Sequence, residues 1–249
     1  MKALSKARIL SASTLKLLAC LLMLIDHAGL MLFPRVILFR IIGRLAFPIF
    51  AFFIAEGCKY TRNRLKRFLL LAVPGVLFEL VYVLYAGEVE GNVFLTFSLS
   101  ILLVYCVQYA KKQFHTGTAL LRVLSLLLFA VTLVASAFLS LLLDLDYGFV
   151  GVLTPVFIAF THYKEGETAE SFQLLDTHIG HLLALLLGAV LLSIDGSIGS
   201  IQIWCLLAVP LVALYNGKPG TRKLKYLFYI FYPAHLLILE GVAYLLSTL

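Results

Sequence analysis

The chain has 249 residues, of which 62% are hydrophobic and only 13% charged, and its mean hydropathy is +1.02. Ordinary soluble domains run near about 45–50% apolar and about 25% charged, so composition excludes a soluble globular protein and sets the fold class as all-α, a polytopic membrane helical bundle. The net charge of +7 comes from Lys and Arg in short loops between apolar runs, which is how topology is encoded, and nucleic acid is excluded as their partner. Cys20, Cys58, Cys106 and Cys205 form no C-x-x-C pair and mostly sit in apolar runs, the placement of small buried hydrophobes rather than of redox or zinc thiols.

Hydropathy predicts about nine spans (eight to ten), near 14–33, 36–57, 67–86, 93–110, 119–143, 147–162, 178–194, 200–215 and 225–246. The gaps are short, so a single transmembrane domain over 1–249 is expected. The basic residues ahead of the first run resemble a signal peptide, but that run contains Asp26-His27 and no small-residue cleavage pattern, and it reads as a retained span. With a cytoplasmic N-terminus, 17 of the 20 basic residues fall on the cytoplasmic side, and the opposite turns carry Glu88, Glu90, Asp144, Asp146 and Asp195. That asymmetry predicts insertion in the cytoplasmic (inner) membrane with the N-terminus inside.

The first two spans carry charge where charge is expensive. An Asp or Arg at a span centre costs about 2.5–3.5 kcal/mol on insertion scales. Asp26 and His27 lie in span one, and Arg40 and Arg44, four apart on one helix face, lie in span two. At about 1.5 Å per residue, His27 is roughly 9 Å from the outer end of its span, and Arg40 and Arg44 are about 8 and 13 Å in from Arg35. Similar depths in antiparallel spans let Asp26 meet an arginine. His27 beside a carboxylate is a minimal general-base unit, and basic groups around it suit a phosphate or a developing oxyanion. A buried polar cluster that merely locks the two spans remains the bland alternative.

Further along, Glu79 lies inside span three, and Asn92 and Thr96 share a face where span four opens. Thr132, Ser136 and Ser140 form a stripe on span five that reads as helix packing. Asp176-x-His178-x-x-His181 superficially offers metal ligands, but helix-end polarity explains it equally well, and no metal is expected. Tyr215-Asn216-Gly217-Lys218-Pro219-Gly220 is a turn. Behind it, Lys225, Tyr226, Phe228 and Tyr229 suit an interfacial anchor, whereas His235, about 15 Å into the last span, does not.

Several stretches together resemble the TraX family. They are Leu15-Lys16 through Ile25-Asp26-His27-x-Gly29, Leu32-Phe33-Pro34, Arg40-Ile41-x-Gly43-Arg44-Leu45-Ala46-Phe47-Pro48 and Ala55-Glu56-Gly57. Asn92-Val93-x-x-Thr96, Asp146-Tyr147-Gly148, Tyr215-Asn216-Gly217-Lys218 and Lys225-Tyr226-x-Phe228-Tyr229-x-Phe231-Tyr232-Pro233-x-His235 continue the pattern, which is loose from about 98 to 200. Pro219 departs from it, standing where a basic residue is expected.

The resemblance implies an integral membrane acetyltransferase, related to the wider transmembrane acyltransferases, that moves acetyl from cytoplasmic acetyl-CoA to an acceptor at or beyond the outer face. The acceptor would be a pilin N-terminus, a glycan or a peptide. Membrane lipid and acyl-CoA would be its other partners, and homo-oligomerisation stays open. By the same resemblance His27 is the base, Asp26 orients it, and Arg40 and Arg44 hold the donor's polar groups or the oxyanion. Lys218, Lys225, Tyr229 and His235 would line the path of acyl-CoA, and Glu56, Asn92, Asp146, Tyr215 and Asn216 would complete the substrate site. Two other readings stay open: a proton-coupled transporter or flippase with Asp26, His27 and His235 as its relay, and an assembly factor without chemistry.

Overall fold

The computed structural model describes residues 8–196, 200–221 and 227–248. Its helices are α1 Ala12–Met31, α2 Ile37–Gly43, α3 Ala46–Tyr60, α4 Arg64–Ala86, α5 Val93–Thr116, α6 Ala119–Leu142, α7 Gly148–Thr161, α8 His178–Asp195, α9 Ala208–Ala213 and α10 Leu227–Ser247. Two 3₁₀ turns, Glu170–Leu174 and Ile201–Leu207, complete the order. Among the described residues, seven helical stretches, counting α2 and α3 together as Ile37–Tyr60, are long and apolar enough to cross a bilayer. The protein is a multi-pass membrane helical bundle. The expected spans near 147–162 and 200–215 are instead the shorter helices Gly148–Thr161 and Ile201–Ala213. Fourteen residues in α7 reach only about 21 Å, against the roughly 30 Å of a hydrocarbon core.

The chain divides into two compact units, one made of Met1–Phe53 with Leu192–Leu249 and the other of Ile54–Leu191. In the first, α1 packs against α2 and α10, around Leu15, Ala19, Ile49 and Phe52, each at most 1% exposed. Ser11 caps α1 by accepting from the Thr14 amide. Just before it the chain is stitched to the turn after α9: Leu10 N donates to Leu214 O at 3.0 Å, Asn216 N to Leu10 O at 2.9 Å and Ala12 N to Lys218 O at 2.9 Å. The break between α2 and α3 falls at Arg44-Leu45. Pro48 lies four residues beyond Arg44 and has no N–H to offer its carbonyl, so the second span loses a helical hydrogen bond where it breaks.

In the second unit α5 is the central helix, packed against α4, α6 and α7. Ile101, Val104, Val152 and Ile158 fill the contact without exposure. The polarity of α6 is inverted relative to a soluble helix. Ser125, Ser136 and Ser140 are buried while Val131, Val134, Phe138 and Leu141 are exposed, the arrangement expected where lipid is the solvent and small polar residues let helices approach. Thr132 belongs to the same stripe, its hydroxyl 3.6 Å from Cys106 Sγ.

Candidate active site

Two glycines allow the close approach on which the site depends. A methyl group at Gly43 would fall on the Asp26 carboxylate, and one at Gly29 would come within 2.6 Å of Phe39 Cβ. Without those methyls, α1 and α2 run antiparallel closely enough for span one to reach the arginines of span two. Asp26 is buried, and its Oδ2 accepts from Arg40 Nη1 at 2.8 Å and from Arg44 Nη2 at 2.5 Å. Arg44 Nη1 also donates to Gln202 Oε1 at 3.3 Å. The cluster thus sets one buried carboxylate between two half-buried guanidiniums. Asp26 Oδ1 is buried as well, with no hydrogen-bond partner among the described residues.

His27 is the next residue, but it points about 100° round the helix and takes different partners. Its Nδ1 lies 2.9 Å from Met23 O. His235 Nδ1 lies 2.8 Å from Phe231 O, and His235 Nε2 lies 3.2 Å from His27 Nδ1. A carbonyl oxygen only accepts, so in both neutral rings Nδ1 carries the proton. His235 Nε2 is then a lone pair, and it shares the His27 Nδ1–H with the Met23 carbonyl. The same accounting leaves His27 Nε2 unprotonated. The rings meet edge-on at 4.9 Å between centroids, and Phe231 stacks on His235 at 5.0 Å. His235 is 3% exposed and His27 half-buried, so the outer imidazole is held by a partner itself locked in place.

Membership follows from comparison with known proteins. The family described as TraX protein matches residues 11–243. The chain belongs to the TraX family. Among curated proteins, the "Probable fimbrial assembly protein FimC, serogroup H1" of Dichelobacter nodosus is 27% identical over 247 residues, covering 92% of this chain and 94% of that protein. An uncharacterized protein of Rickettsia prowazekii (strain Madrid E) is 56% identical over 39 residues, 16% of either chain. No solved structure matches.

The other candidate residues of this TraX-family chain fall into three groups. Tyr215 is buried against Phe52 and Phe53, at 5.8 and 5.3 Å between ring centroids. Asn216 builds the turn: its Oδ1 accepts from Lys218 N at 2.9 Å, its Nδ2 donates to Ile9 O at 3.4 Å, and Gly217 follows with φ +78. Lys218 is exposed at the tip, Tyr229 is half-buried on α10, and Lys225 lies outside the described residues. These contacts hold Tyr215 and Asn216 in the turn, and Lys218 is exposed to solvent.

Asn92, Asp146 and Glu56 belong to the second unit. Asn92 caps α5 by accepting from Phe94 N and Leu95 N, while its amide donates to Gly75 O at 3.0 Å and lies 3.5 Å from Glu79 Oε2. Asp146 accepts from Thr96 Oγ1 through its backbone oxygen at 2.9 Å, and its side chain is exposed. Glu56 Oε2 lies 3.6 Å from His162 Nε2, and the His162 ring lies 4.9 Å from that of His181. His181 Nε2 is 2.9 Å from Asp176 Oδ1, and Lys59 Nζ donates to both oxygens of Asp176 at 2.8 Å. Burial works against ionisation of Asp176, yet the hydrogen bonds and charge of Lys59, helped by His181, hold its carboxyl below the usual range. Burial first, then the charges of His181 and Lys59, push the His162 imidazole down to about 3, so it is neutral.

Sequence reasoning missed Gln202, His162 and Lys111. Gln202 is a lone amide in an apolar run, and that polarity was itself the available signal. His162 reads from sequence as an ordinary span end. Lys111 counts there as a loop cation, but its ammonium is buried and donates to the carbonyls of Ala159, Phe160 and His162 at 3.1, 2.7 and 2.8 Å.

Proposed function

We propose that this TraX-family protein is a membrane-embedded acetyltransferase of the cytoplasmic membrane, taking acetyl from cytoplasmic acetyl-CoA and delivering it to an amine or hydroxyl at the outer face. The observation that carries this reading is the contact of His27 Nδ1 with the Met23 carbonyl and with His235 Nε2, which leaves His27 Nε2 as a bare lone pair, beside the Asp26–Arg40–Arg44 cluster. An acceptor N–H or O–H loses its proton to His27 Nε2 as the nitrogen or oxygen attacks the thioester carbonyl. Positive charge accumulates on His27, and His235 Nε2 stabilises it by accepting the Nδ1 proton more strongly. The carbonyl oxygen gains negative charge, which suits a neighbourhood holding the two guanidiniums of Arg40 and Arg44. Collapse breaks the carbon–sulfur bond, and the CoA thiolate takes the proton back from His27. Asp26 keeps the arginines in place rather than orienting His27. A pilin N-terminus is the first acceptor to try, because the curated relative of similar length is named for fimbrial assembly.

The test is acetyl transfer in proteoliposomes, with labelled acetyl-CoA outside or inside and a pilin N-terminal peptide, a glycan or a generic amine opposite. Donor-dependent acetylation of at least one acceptor, with release of free CoA thiol, is expected. A protein that never consumes the thioester, and instead moves protons down a gradient through His27, would establish the transporter reading.

A further inference from the structure

Three elements far apart in sequence bring Glu56 of α3, His162 just beyond α7 and His181 in the first turn of α8 to one point of the second unit. One potential ligand atom from each lies within 4.8 Å of the others, a spacing a single ion can bridge. His162 is 95% buried, yet neither ring nitrogen has a hydrogen-bond partner among the described residues. A buried imidazole left in that state forgoes the stabilisation polar groups normally find, and an unmet one costs about 1–3 kcal/mol. We propose that Glu56, His162 and His181 form a binding site for one divalent transition cation of the zinc class.

The surroundings support that assignment. Two imidazoles and one carboxylate are a donor set typical of zinc, with a fourth position open to water. His181 Nε2 lies 2.9 Å from Asp176 Oδ1, which leaves Nδ1 for an ion in the carboxylate–histidine arrangement that orients metal-binding rings. Two ammonium groups nearby would oppose a cation, but both are engaged. Lys59 faces the two oxygens of Asp176, and Lys111 is turned onto the three carbonyls at the end of α7. The ion would therefore meet one carboxylate and two imidazoles, with neither ammonium turned toward it. His178, which shares a sequence motif with His181, is not in the cluster. The ion would join α3, α7 and α8 at one end of this unit, and the inference stands apart from the acetyl-transfer chemistry.

The full-length protein, purified in detergent without a histidine tag and stripped with chelator, is titrated with Zn²⁺ against a competing indicator. One equivalent is expected to bind, and X-ray absorption of the loaded protein should show two imidazoles with oxygen neighbours. Glu56→Gln and His162→Gln should each lose more than the roughly 10–100-fold in affinity that loss of an outer partner costs, and Asp176→Asn should fall within that range. His178→Ala should bind as wild type does. Absence of stoichiometric binding overturns the site, as does an unchanged affinity in Glu56→Gln. Sulfur neighbours in the absorption spectrum overturn it too, and since that reading is taken on the wild type, it decides even if His162→Gln fails to fold.

Discussion

At the residue scale the chemistry rests on which nitrogen of His27 is left bare. His27→Ala should accumulate normally and bind acetyl-CoA, but its transfer rate should fall by roughly 10²–10⁴-fold, the usual effect of removing a positioned base. His235 acts through His27, so His235→Ala should lower kcat with little change in KM for acetyl-CoA. His235→Gln, which restores an acceptor for the Nδ1 proton, should recover part of the loss, and a merely structural His235 would show no such recovery. The Asp26 cluster behaves differently because its charges are buried together. Asp26→Asn leaves two guanidiniums without their counter-ion and should cost about 3–5 kcal/mol, read as lost thermal stability in detergent. Adding Arg40→Gln or Arg44→Gln should return some of it. The Asp26–arginine pairing was legible in the sequence, since equal depths in adjacent antiparallel spans leave few other partners. The His27–His235 contact was not, because no spacing rule links residues 208 positions apart.

The decisive feature at the scale of elements is the interrupted second span. Gly43, the kink at Arg44-Leu45 and Pro48 follow one another, so Arg44 leaves the helix where it can reach Asp26 and Gln202 together. Gly43→Ala would push a methyl onto the Asp26 carboxylate and should disable transfer more severely than Pro48→Ala, which only permits the helix to straighten. Assaying both in one membrane preparation, normalised to protein inserted, would separate them. Lys111 illustrates the limit of reading charge as topology. Its ammonium closes the end of α7, and Lys111→Met should destabilise the second unit by about 1–3 kcal/mol through unmet carbonyls, seen as a lower Tm. Hydropathy located each apolar run, but it could not tell a spanning helix from the short α7, whose residues are equally apolar because they are buried in protein.

For the whole molecule, the basic residues predict orientation. Reporter fusions after Arg67 and after Lys112 should read as cytoplasmic and a fusion near Glu90 as external; a cytoplasmic Glu90 would reverse the direction of acetyl delivery. The first unit is assembled from the first 53 and the last 58 residues of the chain, and its two halves mature at different times. Asp26, Arg40 and Arg44 emerge from the ribosome within 18 residues of one another, so the costly charges can neutralise each other as soon as the first hairpin enters the membrane. His235 follows His27 by 208 positions, a wait of about 10–40 s at ordinary synthesis rates of about 5–20 residues per second. A nascent or prematurely terminated chain thus holds a tolerable hairpin and an imidazole already oriented by the Met23 carbonyl, but without its second acceptor. Only a chain translated nearly to its end acquires the partner that would steady a charged His27, so on the proposed chemistry unfinished protein in the membrane should transfer acetyl poorly.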